Sequence, residues 1–429
     1  MRVKILISFT AFAAFVNPWA QGAPNPDAST QTRVSPIVFA ERHILESKAL
    51  GENRHVDVRL PASYRQSAPS RAYPVVFVLD SELLFETVAG IVGHLSSVGR
   101  MPEAIVVGIP NNTGDRLGLS PQFLDKDGNP RGSRSREDRY LRFFQDELLP
   151  FLDSKFRTAE FRILFGVSPT AAFTLHAFWR APDLFQAHVA MVAGSIPGKV
   201  YPKDETLIDA IETSLSRNPD RKVWLYLSSA ESNFQTSSEI ATHFENLERR
   251  LRPYLSRGLS LKTEVVPGAA YATVLPALTS ALNLIFPPED WDPSYVSFLE
   301  GEKAALANLD AHFAGLSSRY GFAVVPLGDR FFNVNCLRGL GSRLRRQERT
   351  EEAIQVFRRW VELYPLAPRP YFHLAYALEA NEQSQQALAT GSKGLEIARE
   401  AAAPDLDKYE SHFHRLEESI LAQRDDAPR

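Results

Sequence analysis

Ser168 is the residue from which chemistry could start. It follows Arg162-Ile163-Leu164-Phe165-Gly166-Val167, which reads as a buried strand, and precedes Pro169–Trp179, which reads as a helix. A hydroxyl at a strand-to-helix turn behind a glycine is placed for nucleophilic attack on an acyl carbon. Such a serine needs an acid and then a base, each after a later strand. Glu231 follows the strand-like Val223–Leu227 and fits the acid. The loop after Leu259–Val266 reads Ala269-Ala270-Tyr271-Ala272-Thr273 and holds no histidine. Tyr271 offers a phenol, a side chain that ordinarily ionises at about pH 10 and is a poor base at neutral pH. The N–H after the nucleophile stabilises the oxyanion in this arrangement, and Pro169 has none. Losing one such donor costs about 2.7–4 kcal/mol of transition-state stabilisation. Ser168 and Pro169 also suit the N-cap and first position of an ordinary helix. Proline further biases its predecessor toward extended backbone. Together these features predict a plain helix start at Ser168.

The elements that must position these residues alternate from about Val34 to Phe286. Ile37–Leu45 and His55–Leu60 read as strands, followed by Tyr73–Leu79, Ala104–Ile109, Phe161–Val167, Phe185–Val192, Val223–Leu227 and Leu259–Val266. Helical patterns fall between most of them. The clearest is Arg139–Phe156, where Tyr140, Phe143, Phe144, Leu148, Phe151 and Leu152 keep the helical period. This order predicts a mostly parallel sheet with helices on both faces and an antiparallel edge from the first two strands. Chemistry in such a sheet belongs at the carboxyl ends of its strands.

Four stretches carry a family resemblance: "YPVVFVLD" (73–80), "VVGIPN" (106–111), "RYLRFFQDELLPFLDSKFRTAEFRILFGVS" (139–168) and "APDLFQAHVAMVAGS" (181–195). They resemble the esterase D and enterochelin-esterase-like family, over about residues 35 to 286. The resemblance implies an α/β-hydrolase fold with Ser168 as nucleophile, Glu231 as acid, and Ser81 and residue 169 in the oxyanion region. Family members generally read Gly-His-Ser-x-Gly-Gly at the elbow, whereas this chain reads Gly166-Val167-Ser168-Pro169-Thr170-Ala171. Thr170 and Ala171 thus replace glycines, and Tyr271 stands where the family carries its histidine. Arg116 to Pro121 lies where the family usually reads Arg-Asp-Leu-Thr-Pro, with Gly118 in place of the aspartate.

The remaining histidines do not fill the gap. His43, His55, His94, His176, His188 and His243 fall in strands or helices, and His312, His373, His412 and His414 fall in a helical tail. His412 and His414 are spaced to face different sides of a helix and make no metal site. No cofactor is expected.

After Phe286-Pro287-Pro288 the strands stop and a repeat appears. Leu337, Leu340, Gly341, Leu344 and Ala353 recur 34 residues later as Tyr371, Leu374, Ala375, Leu378 and Ala387, the period of a tetratricopeptide unit. In the second unit Gly391 and Gly394 stand where Phe357 and Trp360 stood. Two units need capping, expected from Trp291–Tyr320 and Leu406–Gln423. The chain therefore divides into an export signal (1–22), with Arg2 and Lys4 ahead of the apolar Ile5–Val16, a tether (23–33), an α/β domain (34–287) and a helical domain (288–429).

Composition bounds the function. The chain has 429 residues, a formal net charge of −3 and a single cysteine, Cys336, so no intrachain disulfide can form. The charge balance gives no footprint for nucleic acid, and no stretch beyond the signal is apolar enough to span a membrane. Three readings stand: an exported esterase-like protein with degenerate machinery that binds a small ester or hydrophobic ligand; a weak serine carboxyl-ester hydrolase using Ser168; and a scaffold that holds a protein partner through repeats at 330–400, near Tyr371, His373 and Tyr376.

Overall fold

The computed structural model describes residues 37–111, 121, 123–124, 130–131, 136–194, 196–197, 199–201, 205–300, 304–330 and 334–425. The expected export signal, the tether and Arg116–Ser120 lie outside them. The chain divides into Met1–Phe39 and Ala40–Arg429, and the second unit holds everything that follows.

Eight strands form the main sheet: β1 Glu41–Ser47, β2 Glu52–Arg59, β3 Tyr73–Leu79, β4 Ile105–Ile109, β5 Thr158–Val167, β6 Ala187–Met191, β7 Val223–Ala230 and β8 Leu259–Val266. Their order across the sheet is β1-β2-β4-β3-β5-β6-β7-β8. The first two pairings, β1 with β2 and β2 with β4, are antiparallel. All later ones are parallel. The inner strands are short apolar runs because both their faces are covered, and every residue of β3 and β4 is buried.

Helices α1 (Ser81–Ser97), α2 (Glu137–Arg142), α3 (Leu149–Lys155), α4 (Pro169–Arg180), α5 (Leu207–Arg217), α6 (Glu231–Thr236), α7 (Ser238–Leu251) and α8 (Val274–Ile285) connect the strands. α2 and α3 form the helical run expected over 139–156, joined by a π-helical turn at Phe143–Leu148. One apolar core joins α1 and α8 to one face of the sheet. On the other face, two cores gather α2, α3 and the turn between them, and α4, α5 and α7.

The short α9 (Pro288–Trp291) and α10 (Ala305–Tyr320) lead into the helices α11 (Leu337–Arg346), α12 (Thr350–Leu363), α13 (Pro368–Ala380), α14 (Ser384–Glu400) and α15 (Leu406–Asp425). α9 and α10 share the core of the sheet. Trp291, Leu316 and Tyr320 pack with Phe161, Trp224 and Phe286, and the Trp224 and Tyr320 rings stack at 5.5 Å. The repeat helices are fastened to the segments that precede β3 and β4. Ala68 N–H donates to the Leu363 carbonyl and Leu366 N–H to the Gln66 carbonyl, each at 3.1 Å. Arg71 pairs with Glu103 at 2.9 Å and lies over the Tyr364 ring, 5.4 Å from its centroid.

The second repeat unit gains its packing from the glycines that weaken its resemblance to the first. A Cβ at Gly394 would sit 2.8 Å from the Tyr371 side chain, so the glycine lets α13 and α14 close up. Tyr371, His373 and Tyr376, near which the sequence places the working face of the repeats, are half-buried and also make contacts within the tail. His373 lies against Phe357 and Trp360, with centroids at 5.5 and 5.4 Å. Tyr371 and Tyr376 donate their hydroxyls to the Pro365 and His412 carbonyls. The capping helix α15 supplies the second of these acceptors.

Candidate active site

Ser168, Glu231 and Tyr271 follow β5, β7 and β8, so the sheet brings all three to one edge, at the carboxyl ends of its parallel strands. β6 runs between the strand that leads to Ser168 and the one that leads to Glu231.

The backbone at Ser168 is that of a nucleophile elbow. Its φ is 55° and ψ −113°, a region that residues with a side chain rarely adopt, and its side chain makes no cap bond to α4. The plain, unstrained helix start expected from Ser168-Pro169 is therefore not formed, and the proline has not driven the serine to extended backbone. Proline fits as the first residue of α4, where an N–H has no intrahelical partner. Strain of this kind costs about 1–3 kcal/mol and persists only where surrounding contacts hold it.

Those contacts lie on both sides of the turn. Ser168 N–H donates to the Met191 carbonyl at 2.9 Å, tying the elbow to β6. Below it, Thr170 Oγ1 accepts from Val167 N–H at 2.8 Å and donates to Asp80 Oδ2 at 2.8 Å. The other oxygen of Asp80 accepts from the Asn111 side-chain amide. Asp80 and Thr170 are fully buried, and Asp80 takes left-handed backbone (φ 51°, ψ 42°) as β3 gives way to α1. Thr170 therefore replaces a glycine without loosening the elbow, because its hydroxyl cross-links the ends of β3 and β5. Gly166 remains necessary: a Cβ there would come within 2.4 Å of the Thr170 carbonyl oxygen.

The oxyanion region has Ser81 as the first, buried residue of α1. Its hydroxyl has no hydrogen-bond partner among the described residues. Pro169 supplies no N–H opposite it. Glu231 opens α6 and is exposed. Gly268 N–H donates to Glu231 Oε2 at 3.4 Å, and Ser232 N–H donates to the Gly268 carbonyl at 3.2 Å. These bonds draw the loops carrying Glu231 and Tyr271 together. Tyr271 lies in a 3-10 turn over Ala270–Thr273 and is 42 % exposed.

The histidines are elsewhere. His176 is two helical turns along α4 from Ser168, about 12 Å of helix, and outside hydrogen-bonding reach of the elbow. Its Nε2 lies 3.3 Å from Asp138 Oδ1. The hydrogen bond with His176 is the main cause that holds the Asp138 carboxyl down to about 2. His188 sits within β6 between Phe178 and Phe185, and burial pushes its pKa well down. Among the described residues no histidine lies in the turn after β3, β5, β6, β7 or β8, and no cluster of potential metal ligands occurs. No helix among them is long and apolar enough to cross a membrane.

Asp80, Asn111 and the hydroxyl of Thr170 are the site residues that sequence reasoning missed. Asp80 gave a signal, a carboxylate directly after seven apolar strand residues, a position that buries a charge and demands a partner.

Comparison with known proteins agrees with this frame. A family profile described as "Putative esterase" matches residues 47–269, just over half of the chain. A tetratricopeptide-repeat profile matches 334–377. An IroE-like serine hydrolase from Shewanella oneidensis is similar in structure, at 23% identity and a TM-score of 0.55, over 74% of this chain and 97% of that one. An uncharacterised protein from Capnocytophaga ochracea is similar over 88% of this chain and 99% of its own, at 17% identity and a TM-score of 0.54. No curated protein matches the chain. By the sequence match over its sheet domain, the chain belongs to the esterase family of that profile, and it carries a tetratricopeptide region beyond it.

Proposed function

We propose that the protein is an exported member of the esterase family whose site holds a small carboxyl ester or other acyl ligand beside Ser168 without efficient turnover. The observation that carries this reading is the exposed Tyr271 in the turn after β8, at an edge where no described histidine lies. Without an imidazole, the described residues at this edge lack the base best matched at neutral pH to taking the Ser168 proton during attack and to activating water for release of an acyl group. Pro169 removes a further oxyanion donor. Glu231 then serves as a polar wall of the site. The repeats over 330–400 hold a protein partner.

A slow serine hydrolase is the second reading, and the strained Ser168 backbone favours it, since a site with no use for the elbow gains stability by relaxing it. Hydrolysis of p-nitrophenyl acetate by wild type and Ser168→Ala separates the two. Equal rates are expected, while turnover lost in Ser168→Ala would establish the hydrolase instead. Tyr271→His alone should raise the rate little, because Pro169 still withholds an N–H worth about 100- to 1,000-fold. A large gain from that single change would show that the missing base was the whole defect.

A further inference from the structure

The sheet ends in two unlike edges. At β8, helices from both faces reach the rim: Thr263 donates to Glu248 of α7, and Lys262 Nζ donates to Ser280 Oγ of α8 at 2.6 Å. Side chains tied down in this way blunt an edge against further strands. At β1 the rim is open. β1 has a neighbour on one side only, and it pairs with β2 without a bulge or register shift from Glu41↔Val58 to Ser47↔Glu52. It holds no proline, so its outer backbone groups are available to another strand. One face of β1 is covered, with the His43 ring 5.4 and 5.8 Å from those of Phe151 and Phe156. On the other face Arg42, Ile44 and Glu46 are all exposed, Ile44 at 65 %.

We propose that β1 pairs antiparallel with β1 of a second copy about a dyad at Ile44, joining the two sheets into one. A dyad perpendicular to the sheet keeps its two faces aligned, so only residues of the same face meet. Centred on Ile44, the pairing sets Arg42 opposite Glu46 at both ends and Ile44 against itself between them. Opposite charges paired across strands stabilise a sheet, and like charges weaken it. The neighbouring registers lack this match. A dyad at His43 sets Arg42 against Ile44, and one at Leu45 sets Arg42 against Lys48. Glu46 has no ion-pair partner among the described residues. Arg42 already holds Asp57 at 2.6 Å, yet 59 % of its side chain stays exposed, and a guanidinium has donors for a second carboxylate. A foreign strand would need the same charge order, which this strand supplies to itself. The pairing uses neither Ser168 nor the repeats, so it stands apart from the function proposed above.

Sedimentation equilibrium of the full chain tests the pairing. Two short strands make a contact smaller than a standard interface, so the average mass should climb from monomer toward dimer as concentration rises. Glu46→Arg turns both end pairs into Arg–Arg and should raise the dissociation constant at least about tenfold. Cross-linking reads the register. The only native cysteine, Cys336, is buried, so mild oxidation should join two copies of Ile44→Cys, whose Cα atoms at the dyad lie about 4.5–5.5 Å apart. Arg42→Cys and Glu46→Cys should each stay unlinked alone and link when mixed. A chain that is monomeric at every concentration, as when another segment of it covers β1, would overturn the proposal. A dimer indifferent to Glu46→Arg, or cross-links that favour another register, would do the same.

Discussion

Ser168 and Thr170 pull the elbow in opposite energetic directions. Ser168 carries the strain of a positive φ, and glycine tolerates that region, so Ser168→Gly should stabilise the fold by up to about 1 kcal/mol after the added chain entropy of glycine is offset. Thr170→Val keeps the shape but removes the hydroxyl that links Val167 N–H to Asp80. That leaves buried polar groups unsatisfied and should cost about 1–3 kcal/mol. Urea denaturation of the two variants reads both signs, and a neutral Thr170→Val would mean that the elbow is held by other contacts. The serine itself was legible in the sequence, since an apolar run ending in Gly-Val-Ser points to it. Its conformation was not. Ser-Pro is locally consistent with a relaxed helix start, and only the tertiary contact of Thr170 with Asp80, some ninety residues earlier in the chain, decides otherwise.

At the scale of elements, the strands were legible nearly residue by residue. Tyr73–Leu79 and Leu259–Val266 form as read, because apolar runs bounded by turn residues have no competing arrangement in an α/β order. β5 and β7 extend beyond their apolar centres, to Thr158 and Ala230, since pairing with neighbours continues past the hydrophobic pattern. The faces of the repeat helices were not legible, because helical period fixes spacing but not which residues a later helix will cover. His373 shows the consequence. Packed against Phe357 and Trp360, it is pushed by burial down to about 4. Its folded form binds a proton less readily than its unfolded form, which titrates at about 6.5. Its contribution to stability is therefore full above about pH 6.5 and is lost as pH falls toward 4. Between pH 7 and 5 this should cost up to about 2 kcal/mol. His373→Phe should remove that part of the pH dependence in denaturant melts, and an unchanged slope would assign the loss to other groups.

At the scale of the whole molecule, the tail is built into the sheet. Tyr320 stacks on Trp224, accepts from Trp291 Nε1 at 3.1 Å and donates to the Ile285 carbonyl at 2.7 Å. Tyr320→Ala should cost about 3–5 kcal/mol, as for other large aromatics removed from a core. The loss should appear as one cooperative transition at lower denaturant. A separate early transition, with the sheet's own melt unchanged, would show that the helices unfold on their own. Sequence could not reveal this union, because the proline pair at 287–288 ends a helix without reporting what the next one packs against. The place of attachment sets the reach of the molecule. The helices are tied at the amino ends of the strands, while Ser168 lies beyond the far end of β5, whose ten residues span about 33 Å. For the partner proposed for the repeats, the tail would be a mooring and the sheet a rigid boom that sets the elbow about 30 Å off it.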